Sequence, residues 1–273
     1  MSGLTAQRGE SGVQTEKIGF IGTGAISDAM VRGLLTKPAA VAQVTISPRN
    51  AAIAQKLAAD FSEVSIAADN QAVIDASDVI VLAVRPQIAK EVLGGLTFRK
   101  GQSVLSVIAA TDRKTLLEWI GADVHLVQAI PLPFVADREG VTAVFPPDSR
   151  IAALFTVMGT AVECETKEEY DLLAAASSLM STVLGIMDIS AAWLEQRGLT
   201  KGKGRAYIAP LFTNLTQTAL RSKTVPLKEL SSEFATKGGL NEQVLSDFEK
   251  NGGRDALISA LDRVLARIQG AKA

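Results

Sequence analysis

Gly22-Thr23-Gly24-Ala25 follows an apolar pentapeptide, Lys17–Ile21, and opens into an apolar run ending at Leu35. Backbone without side chains, at a turn from strand to helix, suits one kind of chemistry. It lets an anion approach the free N–H groups and the positive dipole end of the helix. Gly22 permits the tight turn and Gly24 the approach of a pyrophosphate, while Ala25 and Ile26 begin the helix that receives it. Ser27 takes the third small position, where close packing of helix on strand needs a compact side chain. An isolated Gly-x-Gly is weak evidence, but a preceding strand and a following helix favour dinucleotide binding over a purely structural turn.

The end of the second strand reads Thr45-Ile46-Ser47-Pro48-Arg49-Asn50. NAD enzymes place an acid there to accept hydrogen bonds from the ribose hydroxyls. No acid occurs here, and Ser47, Arg49 and Asn50 are donors suited to a 2′-phosphate. The expectation is NADP, with NADPH preferred over NADH. Ser47 also reads as a helix cap with Pro48 in the first turn, and Arg49 as a solvated surface charge.

Composition narrows the setting. The chain has 273 residues, a formal net charge of -1, one cysteine and one histidine. No basic face points to nucleic acid or a membrane surface. Cys164 cannot form an intrachain disulfide and reads as a buried, inert thiol in a reducing cytoplasm. One Cys and one His give no basis for a metal site. His125 falls inside an expected strand and reads as a packed or edge residue. Residues 1–16 are polar and glycine-containing, which suggests a flexible tail, and no uninterrupted apolar run suggests a membrane span.

The elements that must hold these residues come in two patterns. Up to about residue 165, apolar runs alternate with helical segments. Strands are expected at Lys17–Ile21, 43–47, Val64–Ile66, 78–84, 103–107, 124–127 and 141–145. Several are unbroken Val/Ile/Leu runs, as in strands covered on both faces, so an α/β fold with a Rossmann-like, mostly parallel doubly wound sheet is expected over 17–165. Residues 166–273 read as an all-α domain, with helices near 167–197, 202–221, 226–235, 240–250 and 252–268. The first of these is apolar nearly all round and needs burial on every side. Such a small helical domain suits burial against a second copy, hence an expected homodimer through the C-terminal helices; a central helix within one domain is the alternative.

Several stretches together resemble the pyrroline-5-carboxylate reductases, which reduce a cyclic imine with NADPH or NADH. They are Ile18 to Leu34, the run Ala67 to Gln87 with Leu-Ala-Val-Arg-Pro-Gln at its end, and Val104 to Leu116, where Ala110 stands in place of glycine. The resemblance implies that Asn70 approaches the adenosine side of the cofactor. It also implies that Ala83, Val84 and Arg85 line the route to the nicotinamide, with Pro86 closing the loop. Asp78 to Val84 as a buried strand independently places its C-terminal end at the cofactor crevice.

The substrate side departs from that family. Its Met-Pro-Asn-Thr-Pro motif stands here as Ile130-Pro131-Leu132-Pro133-Phe134, and the arginine upstream is Gln128. Its Gly-Ser-Gly-Pro-Ala turn aligns with Ser177 to Ser181, and in its Pro-Gly-Gly-Thr-Thr motif Gly238 and Gly239 survive while Leu240 and Asn241 replace the threonines. A site built to hydrogen-bond a small carboxylate weakens when donors become apolar. Ser178, Gly238, Gly239 and Asn241 remain the candidates to face a substrate, and a bulkier or less polar imine is expected. Asn241 also reads as a helix cap and Ser178 as a small packing residue. No proton donor is assigned: an imine can arrive protonated, and Tyr207 or Lys201 would serve only a carbonyl reductase. A carbonyl or hydroxyacid reductase and a non-catalytic NADP-binding regulator are the alternatives. The 3-hydroxyacid dehydrogenases rely on a helical lysine that Tyr170 to Leu194 lacks.

Overall fold

The computed structural model describes residues 16–270, so the expected tail lies, apart from Glu16, outside the described residues. The chain divides into two compact units between Ala174 and Ala175.

The first unit carries an eight-stranded sheet. Its strands are β1 (Lys17–Ile21), β2 (Gln43–Ile46), β3 (Val64–Ile66), β4 (Val79–Leu82), β5 (Ser103–Ser106), β6 (His125–Ile130), β7 (Gly140–Phe145) and β8 (Gly159–Glu163). They lie in the order β3-β2-β1-β4-β5-β6-β7-β8. Every neighbouring pair is parallel except β6 and β7. The helices between them are α1 (Ala25–Leu35), α2 (Ala51–Asp60), α3 (Asn70–Asp75), α4 (Pro86–Gly94), α5 (Arg113–Ile120) and α6 (Ser149–Val157), and α7 (Lys167–Ser177) follows β8.

The unbroken apolar runs have the expected cause. Along β4, Val79 and Val81 belong to one core cluster with Phe20, Met30 and Leu57, whereas Ile80 and Leu82 belong to the other with Ile21, Leu93 and Leu116. Successive side chains point to opposite faces, and both faces are covered by helices. Each fully buried Val, Ile or Leu contributes about 1.5–3 kcal/mol, enough to override the weak local preferences of such short strands. β8 is the strand not expected from sequence. Its residues are only partly buried or exposed, so it lacks the apolar run that marks the central strands.

The second unit is all-helical, as expected: α8 (Leu179–Gln196), α9 (Lys203–Arg221), α10 (Leu227–Glu233), α11 (Leu240–Lys250) and α12 (Gly253–Ile268). The long apolar stretch expected as one helix is divided only at Ser178, which keeps right-handed helical angles between α7 and α8. Within the single chain no residue of α8 is buried, and Leu184, Ile189 and Trp193 are 65%, 70% and 55% exposed. By length and composition alone, Lys167–Gln196 is apolar enough to cross a bilayer, contrary to the expectation that no segment suggests a membrane span.

Candidate functional site

In the parallel set β1–β6 the C-terminal strand ends share one edge of the sheet. That edge gathers most of the candidate cofactor residues: Gly22 to Ile26 after β1, Ser47 to Asn50 after β2, Asn70 after β3 and Ala83 to Pro86 after β4. A doubly wound sheet binds its ligand here, where strand order reverses between β1 and β4.

The two glycines of the first turn are glycines for different reasons. Gly22 has φ +98, and a Cβ there would lie 2.7 Å from the Ala83 carbonyl oxygen and 3.0 Å from a Val84 methyl. The protein itself forbids a side chain at Gly22. Gly24, at the N-cap of α1, has φ -108 and ψ -168, a conformation any residue adopts, and an added Cβ would meet nothing within 4 Å. No protein atom requires Gly24, whereas a group lying against the turn would. No side chain caps α1, and the first helical backbone bond runs from the Asp28 N–H to the Gly24 carbonyl. Among the described residues, the N–H groups of Ala25, Ile26 and Ser27 find no acceptor. Free first-turn donors beside an empty Cβ direction fit a pyrophosphate.

Ser47 has a different role from the one expected. It is fully buried, and its hydroxyl accepts the Gly22 N–H at 3.0 Å. The Thr23 hydroxyl donates to the Ser47 carbonyl at 2.7 Å, which leaves the Ser47 hydroxyl to donate to Thr23 Oγ1 at 3.1 Å. Ser27 completes the clip by donating to the Gly22 carbonyl at 2.6 Å. These hydroxyls lock the β1 turn to the end of β2, so Ser47 offers no free donor to a phosphate. Nor does it cap α2: that helix starts at Ala51, with Asn50 at its N-cap, and Pro48 lies before the helix. Thr23, inside the Gly-Thr-Gly turn, is the residue sequence reasoning passed over. A threonine opposite a serine at the next strand end was its only signal. Arg49 and Asn50 are exposed, and Asn50 is held in the left-handed region at φ 64, ψ 64.

On β4's side, Arg85 is exposed at the N-cap of α4, and Pro86 is the first helical residue rather than a loop closure. Asn70 begins α3, where Asp69 caps by accepting the Ala72 N–H at 2.8 Å. His125 lies at the opposite end of the sheet, at the start of β6. Its Nε2 pairs with Asp148 Oδ2 at 2.6 Å, and Asp148 caps α6. It is an exposed histidine at the N-terminal end of an interior strand, away from the crevice. Cys164 is buried, and that burial pushes its thiol pKa up, as expected of an inert thiol.

In the second unit the substrate-side candidates are largely satisfied by their own backbone. The exposed Ser178 donates to the Ala175 carbonyl at 2.6 Å. The Gly238 N–H donates to Glu242 at 2.5 Å, and Gly239, not Asn241, is the N-cap of α11. Asn241 is the second residue of that helix and donates to the Phe234 carbonyl at 2.8 Å. Asn241 also lines a cavity of about 460 Å³ walled by Leu211, Leu215, Leu227, Phe234 and Leu245. The structure brings Gly238, Gly239 and Asn241 together; Ser178 stands on a separate helix junction. Tyr207 and Lys201 are exposed, with no partner that marks either as an acid.

Comparison with known proteins agrees with this layout. Residues 17–110 match the family described as NADP oxidoreductase coenzyme F420-dependent. The chain is 25% identical over 265 residues to the pyrroline-5-carboxylate reductase of Pseudomonas aeruginosa, covering 93% of this chain and 96% of that protein. In fold it is similar to a pyrroline-5-carboxylate reductase from Coxiella burnetii, with TM-score 0.81 and 22% identity over 95% of this chain and all of that one. It is likewise similar to the Plasmodium falciparum pyrroline carboxylate reductase solved with NADP bound, with TM-score 0.80 and 17% identity over 96% of this chain and all of that one. The resemblance drawn from the sequence motifs is borne out.

Proposed function

We propose that this chain, a member of the pyrroline-5-carboxylate reductase family, is an NADP-dependent oxidoreductase that reduces the C=N bond of an imine other than, or besides, pyrroline-5-carboxylate. The observation that carries the cofactor half is the start of α1, where Gly24 leaves open space beside the uncapped first-turn N–H groups. Bound there, a reduced nicotinamide supplies the hydride. The protein's work is to bind and orient: uncapped α1 donors hold the pyrophosphate, and Arg49 and Asn50 face the 2′-phosphate that separates NADPH from NADH. Ala83, Val84 and Arg85 line the nicotinamide half, and Asn70 the adenosine half. The cofactor also appears in the name of one structural neighbour, which was solved with NADP.

The substrate half supports a less polar imine. Leu132 and Pro133 stand where the family has an amide and a hydroxyl, and Phe134, next to them, is half exposed in the short 3-10 turn Pro133–Asp137 that follows β6. Gly238, Gly239, Asn241 and Ser178 remain the substrate-facing candidates, with Asn241 beside an apolar cavity. An imine that arrives protonated needs no side-chain acid, which suits a chain whose one histidine lies at the wrong end of the sheet.

The exposed apolar surface of α8 favours a homodimer in the cytoplasm, with this helix covered by a second copy. A bilayer suits it less well, because Asp188 sits mid-helix and a central acid costs about 2.5–3.5 kcal/mol in a membrane span.

The test is an NADPH-oxidation screen across cyclic imines of varied ring size and substituent, with pyrroline-5-carboxylate and a set of ketones included. Preferred turnover of an uncharged, substituted imine is expected. NADPH binding without turnover on any of them would favour a regulator, and turnover confined to ketones a carbonyl reductase.

A further inference from the structure

Outside the residues already assigned, the same sheet edge carries a strained turn that the protein holds from beneath. It spans Ala109 and Ala110, just after β5 and beside the end of β4. Ala110 has φ 50, a left-handed conformation that alanine rarely adopts and that packing must enforce. Both alanines are exposed, so no burial of their methyls explains the kink.

The enforcing contacts come from β6. Gln128, 5% exposed and paired in register with Ser106, donates from Nε2 to the Thr111 carbonyl at 2.9 Å. Two residues on, Arg113 Nε donates to the Leu126 carbonyl at 3.2 Å, and Asp112 caps α5 by accepting the Thr115 N–H at 2.9 Å. Before the turn, the Ile108 N–H is taken by the Ser106 hydroxyl at 3.3 Å. Both ends of the segment are thus tied down. Between them, among the described residues, the N–H groups of Ala109 and Ala110 find no acceptor in the protein. Two successive free N–H donors at a left-handed kink form a site that can donate to one acceptor oxygen.

We infer that Gln128 is a positioning residue: through the Thr111 carbonyl it holds the Ala109–Ala110 turn so that its two free N–H groups meet a carbonyl oxygen on the nicotinamide half of the cofactor. This rests on the NADP-binding reading above. It assigns β5 and β6 a part in cofactor recognition separate from the pyrophosphate turn of β1. The side-chain amide suits the task because it donates to a carbonyl without bringing a charge into a buried place.

The experiment compares two probes by titration, NADPH and 2′-phospho-ADP-ribose, which lacks the nicotinamide. Gln128→Met keeps the shape and removes the donor. It should weaken NADPH about tenfold, the loss of one well-placed hydrogen bond, and leave the fragment within about twofold. Ala110→Val, at an exposed position where folding is not at risk, should show the same split, since a β-branched residue resists the left-handed region. Ala110→Gly, which accepts that region, should bind both probes within about twofold of wild type. Equal weakening of both probes, or NADPH affinity unchanged in both Gln128→Met and Ala110→Val, overturns the assignment. A wild-type protein that binds the fragment but gains nothing from the nicotinamide also overturns it, leaving the pyrophosphate site intact. Failure to bind either probe removes the NADP reading itself.

Discussion

Replacing each glycine of the first turn by alanine separates what the fold needs from what a ligand needs. At Gly22 a methyl would sit 2.7 Å from the Ala83 carbonyl oxygen at φ +98. Left-handed strain costs about 1–2 kcal/mol and overpacking against backbone about 1–3 kcal/mol. Their sum, about 2–5 kcal/mol, lowers Tm by roughly 5–20 °C for a unit of this size. At Gly24 the methyl meets nothing within 4 Å and the backbone is ordinary. The small loss of N-cap preference is offset by the lower entropy of the unfolded chain, so Gly24→Ala should leave Tm within about 3 °C. The same methyl stands between the α1 amides and a pyrophosphate. Loss of one or two charge-assisted hydrogen bonds, about 3 kcal/mol together, weakens NADPH by roughly a hundredfold. Thermal unfolding and NADPH fluorescence titration on both variants read the two effects separately. If Gly24→Ala binds NADPH within about threefold of wild type, the turn is not a pyrophosphate site and the reasoning fails.

Four further outcomes are expected. Arg49→Ala should raise the Kd for NADPH about tenfold and leave NADH unchanged, read as a ratio of affinities; equal effects on both would remove the 2′-phosphate assignment. Ile189→Glu on α8 should turn a dimer into a monomer in sedimentation velocity, and a wild-type monomer at micromolar concentration would refute the buried-face argument. Leu240→Thr combined with Asn241→Thr should raise kcat/KM for pyrroline-5-carboxylate several-fold, about the effect of one or two regained hydrogen bonds; no gain would show that these two positions do not set carboxylate preference. Asp148 bears on acid stability. Partial burial pushes its carboxyl pKa up, but the Ile151 amide and the His125 pairing outweigh that and hold it below the usual value. A depressed folded-state pKa contributes stability above the unfolded pKa, near 3.9, and that stability is lost as pH falls through the folded value. Asp148→Asn keeps an acceptor for Ile151 and should flatten the stability profile below about pH 4; an unchanged acid limb would contradict it.

The α/β sheet and the helical half were legible because each is a periodic pattern. Val79–Leu82 is unbroken because two cores claim alternate side chains, and α8 shows as a long apolar run although none of its residues is buried within the single chain. Gly22 and Gly24 were legible as a pair, since strand, glycines and helix are contiguous. β8 was not, because an edge strand buries little and so carries no apolar run.

By itself, then, the sequence determined the order of elements, the glycine turn and the family its motifs resemble, all of them features of neighbouring residues. Only the tertiary structure decided which donors are free. Ser47 reads as a phosphate ligand until the β1 turn folds against it and takes up its hydroxyl. Gly22 and Gly24 look alike until Ala83, about sixty residues away, closes on one and leaves the other open. Gln128 gains a role only when β6 lies beside β5 and its amide reaches Thr111. Hydrogen-bond capacity is written in residue types, but whether it is spent within the protein or left for a ligand depends on contacts between distant segments.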